Sequence, residues 1–170
     1  MWNDTDVPQA YLVTFRTYGT WLHGDARGSV DRENNIYGMR RIAHTPARKD
    51  HVRSLLNREP VFLDGARRSS VENAIRETCA IRNWDLLAVN IRTSHAHIVV
   101  TIGNGKPETA LNAFKANATR RMREDGCWQS GSTPWVEKGS RRYLWNERSV
   151  ARAIDYVLYG QGDELPDFDD

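Results

Sequence analysis

The sequence is poor in cysteine and has no long apolar run, and both absences limit what the protein can be. Its 170 residues contain only two cysteines, Cys79 and Cys127, which are too few for a disulfide scaffold and predict a reducing, cytoplasmic compartment. No stretch approaches the roughly 20 consecutive apolar residues of a membrane-spanning helix, so no membrane partner is expected. Residues 1–10 lack a basic start and an apolar core and do not predict a signal peptide.

Fingerprints of nucleotide binding are also absent. The chain contains neither the GxxxxGK[ST] loop nor a Rossmann glycine pattern, so no nucleotide cofactor is predicted. Apolar residues make up 39% of the chain and charged residues 27%, which is typical of a globular protein rather than a disordered one. We predict a single domain over residues 1–162, followed by an acidic tail over residues 163–170.

The charge of the chain is unevenly distributed. The formal net charge is +2, but residues 163–170 hold five of the 22 acidic residues and no basic residue. Residues 1–162 therefore carry 24 basic and 17 acidic residues, which is a net charge of +7. A basic body indicates a polyanionic partner, although charge alone is a weak signal.

Periodicity and capping residues predict a mixed α+β domain. Residues 10–22 begin as a strand, and residues 23–41 form a long loop. The other predicted strands cover residues 85–91 and 95–102, and the predicted helices cover residues 45–59, 69–84, 107–125 and 146–160. Ser69 or Ser70 can cap the helix over residues 69–84, and Asn146 and Gly160 are the predicted start and end of the last helix. This order favours one antiparallel sheet with the helices packed on one face, in the manner of a ferredoxin-like fold.

Two of the five histidines stand at the head of a predicted strand, in the segment RTSHAHIVVTIGN (92–104). Side chains of a strand alternate between its faces, so His95 and His97 project from the same face. Two adjacent imidazoles can chelate one divalent cation, and without suitably spaced cysteines Mg²⁺ or Mn²⁺ fits better than Zn²⁺. The competing interpretation is a pair of strand histidines without a ligand.

The last predicted helix offers two tyrosines that could act as nucleophiles on a phosphodiester. On a helical wheel, Tyr156 and Tyr159 both lie away from the apolar stripe, which consists of Val150, Ile154, Val157 and Leu158. Spacing alone favours two ordinary surface tyrosines. The tyrosines become informative only in combination with the histidine pair.

That combination resembles the single-tyrosine HUH transposases, which comprise the insertion-sequence-200-like enzymes and the REP-associated tyrosine transposases. The matching segments are YLVTFRTYGTWLHGDARGSV (11–30), SHAHIVV (94–100), LNAFKANATRRM (111–122) and YLWNERSVARAIDYVLYGQG (143–162). The resemblance implies the ferredoxin-like fold of HUH endonucleases. It also implies metal-dependent nicking and strand transfer of single-stranded DNA through a 5′-phosphotyrosine intermediate.

The resemblance further implies roles for individual residues. Tyr156, which precedes an aliphatic residue as in the family, would be the nucleophile, and His95 and His97 would hold Mg²⁺ or Mn²⁺. The family usually has Gln or Asn four residues after the tyrosine, where this chain has Gly160, so Gln161 is the candidate third ligand. The implied partner is single-stranded or hairpin DNA near the nucleoid, and a homodimer is compatible with the family.

Basic residues predict where DNA would lie. The helix predicted over residues 107–125 has a basic face opposite its apolar stripe, and residues 138–145 interleave basic and aromatic side chains. Cations follow phosphates, and aromatic rings stack on unpaired bases. The predicted DNA-binding residues are Lys115, Arg120, Arg121, Arg123, Arg141 and Arg142.

Two other functions stay open on the sequence. A domesticated or inactive relative would bind DNA hairpins without cleaving them, and it would need neither Tyr156 nor a metal. A metal-dependent hydrolase of small phosphoesters would use an activated water, and it would not need the basic helix.

Overall fold

The computed structural model describes residues 7–20 and 58–160. The elements in this part are, in chain order, β1 (Ala10–Arg16), α1 (Gly65–Arg82), β2 (Asp85–Ile91), β3 (His95–Thr101), α2 (Pro107–Glu124), β4 (Ser140–Leu144) and α3 (Glu147–Tyr159). The loop predicted over residues 23–41 and the acidic tail lie outside the described residues. So does the helix predicted over residues 45–59, apart from its last two residues.

The four strands form one antiparallel sheet in the order β2-β3-β1-β4. β1 pairs with β3 on one side and with β4 on the other, and β2 pairs with β3 at the edge. This order, with helices between β1 and β2 and between β3 and β4, is the ferredoxin-like arrangement of two interleaved β-α-β units. The predicted α+β fold class is confirmed.

A tight hairpin joins β2 to β3, as the short gap between the two predicted strands indicates. The backbone N–H of Arg92 donates to the carbonyl oxygen of His95 over 2.8 Å and closes the turn. His95 therefore begins β3 at the end of the sheet where the hairpin turns.

One face of the sheet packs against α1 and α2. Ala96, Ile98 and Val100 of β3 all point into this core and are fully buried. The helix residues in the same core include Ile75 of α1 and Phe114 of α2. Since close-packed interiors leave little room for movement, this core holds β3 rigid, and the residues on the other face of β3 keep a constant spacing.

The third helix, α3, lies on the opposite face of the sheet, whereas the sequence pattern predicts all helices on one face. A second, smaller core joins Ala153 and Val157 of α3 to Leu12 of β1 and Val99 of β3. The physical reason is the strand pleat. Leu12 and Val99 project from the histidine face of their strands, so that face also exposes apolar surface that a helix must cover.

Helix capping explains where α1 and α3 begin. α1 begins four residues earlier than predicted, because Asp64 caps it by accepting from the N–H of Arg67 over 2.9 Å. Ser70, one of the predicted caps, is buried within α1 and donates to the Asp125 carboxylate over 2.6 Å. Asn146 caps α3 as predicted, and such caps contribute about 1 kcal/mol each.

Within the described part of the chain, no helix is both long enough and apolar enough to cross a membrane.

Candidate nucleophile and metal site

A row of four polar side chains crosses the sheet beneath α3. Strand register places one residue from each strand side by side, in the order Asn90, His97, Thr14 and Ser140. The next row on the same face is largely apolar and includes Val99. The polar row therefore forms a distinct band at the edge of the small core under α3.

The two predicted metal ligands lie together on this face. The ring centroids of His95 and His97 are 4.7 Å apart. The Nδ1 atom of His97 lies 2.8 Å from Thr14 Oγ1, and that of His95 lies 3.2 Å from Ser94 Oγ. When Nδ1 carries the ring proton and donates it to a hydroxyl, the lone pair on Nε2 is available to a metal ion.

His97 is held without charge at neutral pH. Only 7% of the residue is exposed, and this burial is the main cause that lowers its pKa from 6.5 to about 3. Electrostatic interaction with His95, Arg16 and Arg92 lowers the pKa further. An uncharged imidazole keeps a lone pair for a cation, so His97 is prepared for ligation.

The donor set fits a divalent cation but does not complete its coordination. Two neighbouring imidazoles on one strand can supply two nitrogen ligands to a divalent metal ion. Among residues 7–20 and 58–160, no group of three or more His, Cys, Asp and Glu residues could hold a metal ion. Gln161, the predicted third ligand, lies outside the described residues.

The predicted nucleophile lies against the second histidine. The ring centroid of Tyr156 is 5.4 Å from that of His97, and the ring planes meet at 73°. Tyr156 is half-buried at the margin of the small core, whereas Tyr159 is 83% exposed. Leu158, which the helical wheel placed in the apolar stripe, is 43% exposed, so the buried side of α3 is rotated towards Tyr156.

The structure places further residues beside the histidines that the sequence motifs do not indicate. Arg16 lies directly opposite His95 on the adjoining strand, and Thr14 and Asn90 flank His97. Alternation along β1 does place Thr14 and Arg16 on one face. The predicted ferredoxin-like topology places β1 beside β3, but local patterns do not give the register that brings Thr14 level with His97.

The predicted DNA-binding residues do not form one surface. The four on α2 belong to the helix that packs on the face opposite the histidines. Lys115 is half-buried and donates from Nζ to the carbonyl oxygens of Val136 and Lys138 over 2.8 and 2.9 Å. Burial lowers the pKa of Lys115, and its ammonium group ties α2 to the segment that leads into β4.

The arginines among these residues have local partners. Ion pairs join Arg120 to Glu124 over 3.5 Å, Arg121 to Asp125 over 3.1 Å and Arg141 to Glu108 over 3.1 Å, and Arg123 donates to the carbonyl oxygen of Ser130 over 3.2 Å. Of the six predicted residues, Arg142 lies on the histidine face, opposite Leu12 in the register. Their contact with DNA stays a prediction.

The low pKa of His97 predicts that the metal-free protein loses stability in mild acid. His97 takes up its proton near pH 6.5 when unfolded but only near pH 3 when folded. Between these values the unfolded state binds more protons, so the free energy of unfolding decreases as the pH is lowered, by up to about 1.4 kcal/mol per pH unit. Above pH 6.5 His97 is uncharged in both states, so its effect on the free energy of unfolding no longer changes with pH.

Urea unfolding in EDTA, from about pH 7 to about pH 4, measures this effect. We expect a steeper pH dependence for the wild-type protein than for His97→Gln, which has no titrating group at that position. Equal slopes in the two proteins would show that His97 titrates normally in the folded state.

A comparison with known families identifies the group to which the protein belongs. The family model described as "Transposase IS200 like" matches residues 46–152, which is more than half of the chain. The chain belongs to the IS200-like transposase family. The matched range contains both histidines and ends before Tyr156, so in this transposase the candidate nucleophile is supported by the position of α3.

Solved structures also match the protein, and the first one below supports its fold. A structure of a REP-associated tyrosine transposase bound to a REP hairpin has a TM-score of 0.51 and 10% identity, over 91% of this chain and 67% of that one. A crystal structure of a candidate transposase from Deinococcus radiodurans R1 has a TM-score of 0.46 and 13% identity, over 93% and 95%. A search of curated protein sequences gives no significant match.

Proposed function

We propose that this transposase nicks single-stranded DNA and transfers the cut strand through a covalent 5′-phosphotyrosine formed on Tyr156. The observation that carries the proposal is the contact between Tyr156 and His97, whose ring centroids are 5.4 Å apart. A helix and a strand that are distant in sequence bring a hydroxyl nucleophile to a pair of imidazoles. Membership of a transposase family supplies the class of reaction.

The proposed reaction begins with attack by the Tyr156 hydroxyl oxygen on the phosphorus of the scissile phosphodiester. A phosphorus–oxygen bond to Tyr156 forms, the bond to the 3′-oxygen breaks, and the phenolic proton passes to solvent while the leaving 3′-oxygen takes one up. An unperturbed tyrosine has a pKa of about 10, so attack at neutral pH depends on nearby positive charge. A divalent cation held by His95 and His97 would polarise the phosphate and offset the charge of the leaving oxygen.

The second half of the reaction reverses the first on a different strand. A 3′-hydroxyl attacks the phosphotyrosine, restores the phosphodiester and releases the Tyr156 hydroxyl. The energy of the original bond is kept in the phosphotyrosine, so rejoining needs no nucleotide. This agrees with the lack of a nucleotide-binding fingerprint in the sequence.

Charge near the site supports a DNA substrate. Arg16 on β1 and Arg92 in the β2–β3 turn both act electrostatically on His97. These two arginines and a bound metal ion would repel one another. An anionic substrate such as a DNA phosphate would offset that repulsion. The similar REP-associated transposase is bound to a REP hairpin, and we propose hairpin or single-stranded DNA as the substrate here.

The proposed site is contained in one chain. α3 packs on the sheet of its own chain through Ala153 and Val157, and the same chain supplies the histidines. We therefore propose that a monomer can carry out the nicking step, and that a homodimer is not needed to complete the nucleophile and ligand pair.

The proposal is tested by incubating the purified protein with labelled DNA hairpins from the flanks of its own gene, with Mn²⁺ or Mg²⁺. We expect a labelled protein band on a denaturing gel, its loss with EDTA, and no band with fully paired duplex DNA. Hairpins that are retained on a native gel without any covalent band would instead indicate the binding-only relative. Metal-dependent hydrolysis of a small phosphodiester without a covalent band would indicate the hydrolase.

A further inference from the structure

We propose that Asn90 is a positioning residue that holds Tyr156 in place above the histidine pair. This inference rests on the proposed function and adds a residue that neither the family motifs nor the sequence analysis indicates. The polar row under α3 then has a function in the site, because it connects β3, which carries the histidines, to α3, which carries Tyr156.

The connection is short on both sides. Asn90 of β2 is the register partner of His97 on β3, so the two side chains lie next to each other on one face. The Asn90 Nδ2 atom donates to the carbonyl oxygen of Val157 over 3.0 Å. Val157 directly follows Tyr156, so a residue beside the ligand is bonded to the backbone beside the nucleophile.

The hydrogen bond between Asn90 and Val157 lies where it can fix the position of the C-terminal end of α3. α3 ends at Tyr159, and the N–H of Gly160 donates to the carbonyl oxygen of Tyr156. Val157 therefore lies in the last turn, where backbone carbonyls accept from donors outside the helix. A bond at this point restrains both the translation and the rotation of α3 relative to the sheet.

The apolar contacts of α3 cannot give the same restraint. The small core consists mainly of short or branched aliphatic side chains, with Ala153 and Val157 buried and Val150 and Ile154 only partly buried. Apolar burial is not directional, so these contacts tolerate a small rotation of the helix. Such a rotation displaces the Tyr156 hydroxyl, because the end of this long side chain lies far from the helix axis. A displacement of about 1 Å can cost about 100-fold in rate.

Asn90 and Thr14 both belong to the polar row, but they contact different partners. Thr14 contacts the His97 ring at Nδ1, whereas Asn90 contacts the backbone of α3. Loss of Thr14 should therefore change the affinity for metal. Loss of Asn90 should change the reactivity of Tyr156 and leave the affinity for metal unaltered.

The chain offers a matched control in Asn117 of α2. Its Nδ2 donates to Thr78 Oγ1 over 2.9 Å on the other side of the sheet. Asn117→Ala therefore removes a comparable hydrogen bond without touching α3. Any loss of activity that comes only from lower stability should appear in both variants.

The experiment compares Asn90→Ala, Asn90→Leu and Asn117→Ala with the wild type. We expect the single-turnover rate of adduct formation at saturating DNA to fall about 100-fold in both Asn90 variants. We expect the Mn²⁺ and DNA dissociation constants to stay within about twofold, and Asn117→Ala to react at the wild-type rate. Folded Asn90 variants that react at the wild-type rate, or an equal loss in Asn117→Ala, would overturn the proposal.

A second readout separates this proposal from the proposed function. With 3-fluorotyrosine at position 156, the ¹⁹F resonance reports the surroundings of the ring without any reaction. We expect Asn90→Ala to shift or broaden it and Asn117→Ala to leave it unchanged. If the wild type forms no adduct, the nicking function fails, and the ¹⁹F spectra alone decide whether Asn90 positions Tyr156. An unchanged resonance in Asn90→Ala would overturn that role.

Discussion

Tyr156→Phe is expected to abolish the covalent protein–DNA adduct and to leave DNA binding within about twofold of the wild type. Phenylalanine preserves the aromatic ring that packs against His97 and the small core, so the fold and the DNA surface should be retained. The variant lacks only the hydroxyl that would attack phosphorus. Loss of a nucleophile typically costs far more than 1,000-fold in rate, so we expect no detectable band on a denaturing gel.

Tyr159→Phe is the matched control for this experiment. Tyr159 lies one turn further along the helix and is 83% exposed. Tyr159→Phe removes a hydroxyl group, as Tyr156→Phe does. We expect Tyr159→Phe to form the adduct at the wild-type rate. An adduct that survives in Tyr156→Phe and disappears in Tyr159→Phe would assign the nucleophile to Tyr159.

The second large effect is expected for His97→Ala, which should remove both the binding of Mn²⁺ and the formation of the adduct. With His97 gone, the described part of the site has one imidazole left, and a single neutral ligand holds a divalent cation weakly. We expect the Mn²⁺ dissociation constant, measured by electron paramagnetic resonance, to rise by at least about 100-fold. Circular dichroism checks that the variant is folded.

Thr14→Val gives a graded version of the same test. Thr14 contacts Nδ1 of His97, and the loss of such an outer partner typically weakens metal binding by about 10- to 100-fold. Thr101→Val is the control, because Thr101 lies at the far end of β3, where it donates to Asp85. Unchanged Mn²⁺ affinity in both His97→Ala and Thr14→Val would place the metal away from the histidines.

Local patterns in the sequence were sufficient for most of the fold. β3 was predicted from its alternation, and the buried face of Ala96, Ile98 and Val100 agrees with the structure. The start and end of α3 were predicted from Asn146 and Gly160. These features depend on side chains within a few residues of each other, which is the range over which pleat and capping rules act.

The site was predictable in part for the same reason. His95 and His97 share a face because of the period of a strand, and no knowledge of other elements is needed for that conclusion. The choice between Tyr156 and Tyr159 came from the family resemblance, since the helical wheel placed neither tyrosine in the core. The position of α3, with Tyr156 against His97, now supports that choice on physical grounds.

By itself, then, the sequence determined the antiparallel α+β architecture, the paired histidines and the caps of the last helix. Only the tertiary structure decided that α3 covers the histidine face, that Thr14 and Asn90 flank His97, and that Lys115 is used within the fold. These facts depend on which strands are neighbours and which face a helix covers. Both are set by the burial of apolar surface between distant segments, and no local pattern records that pairing.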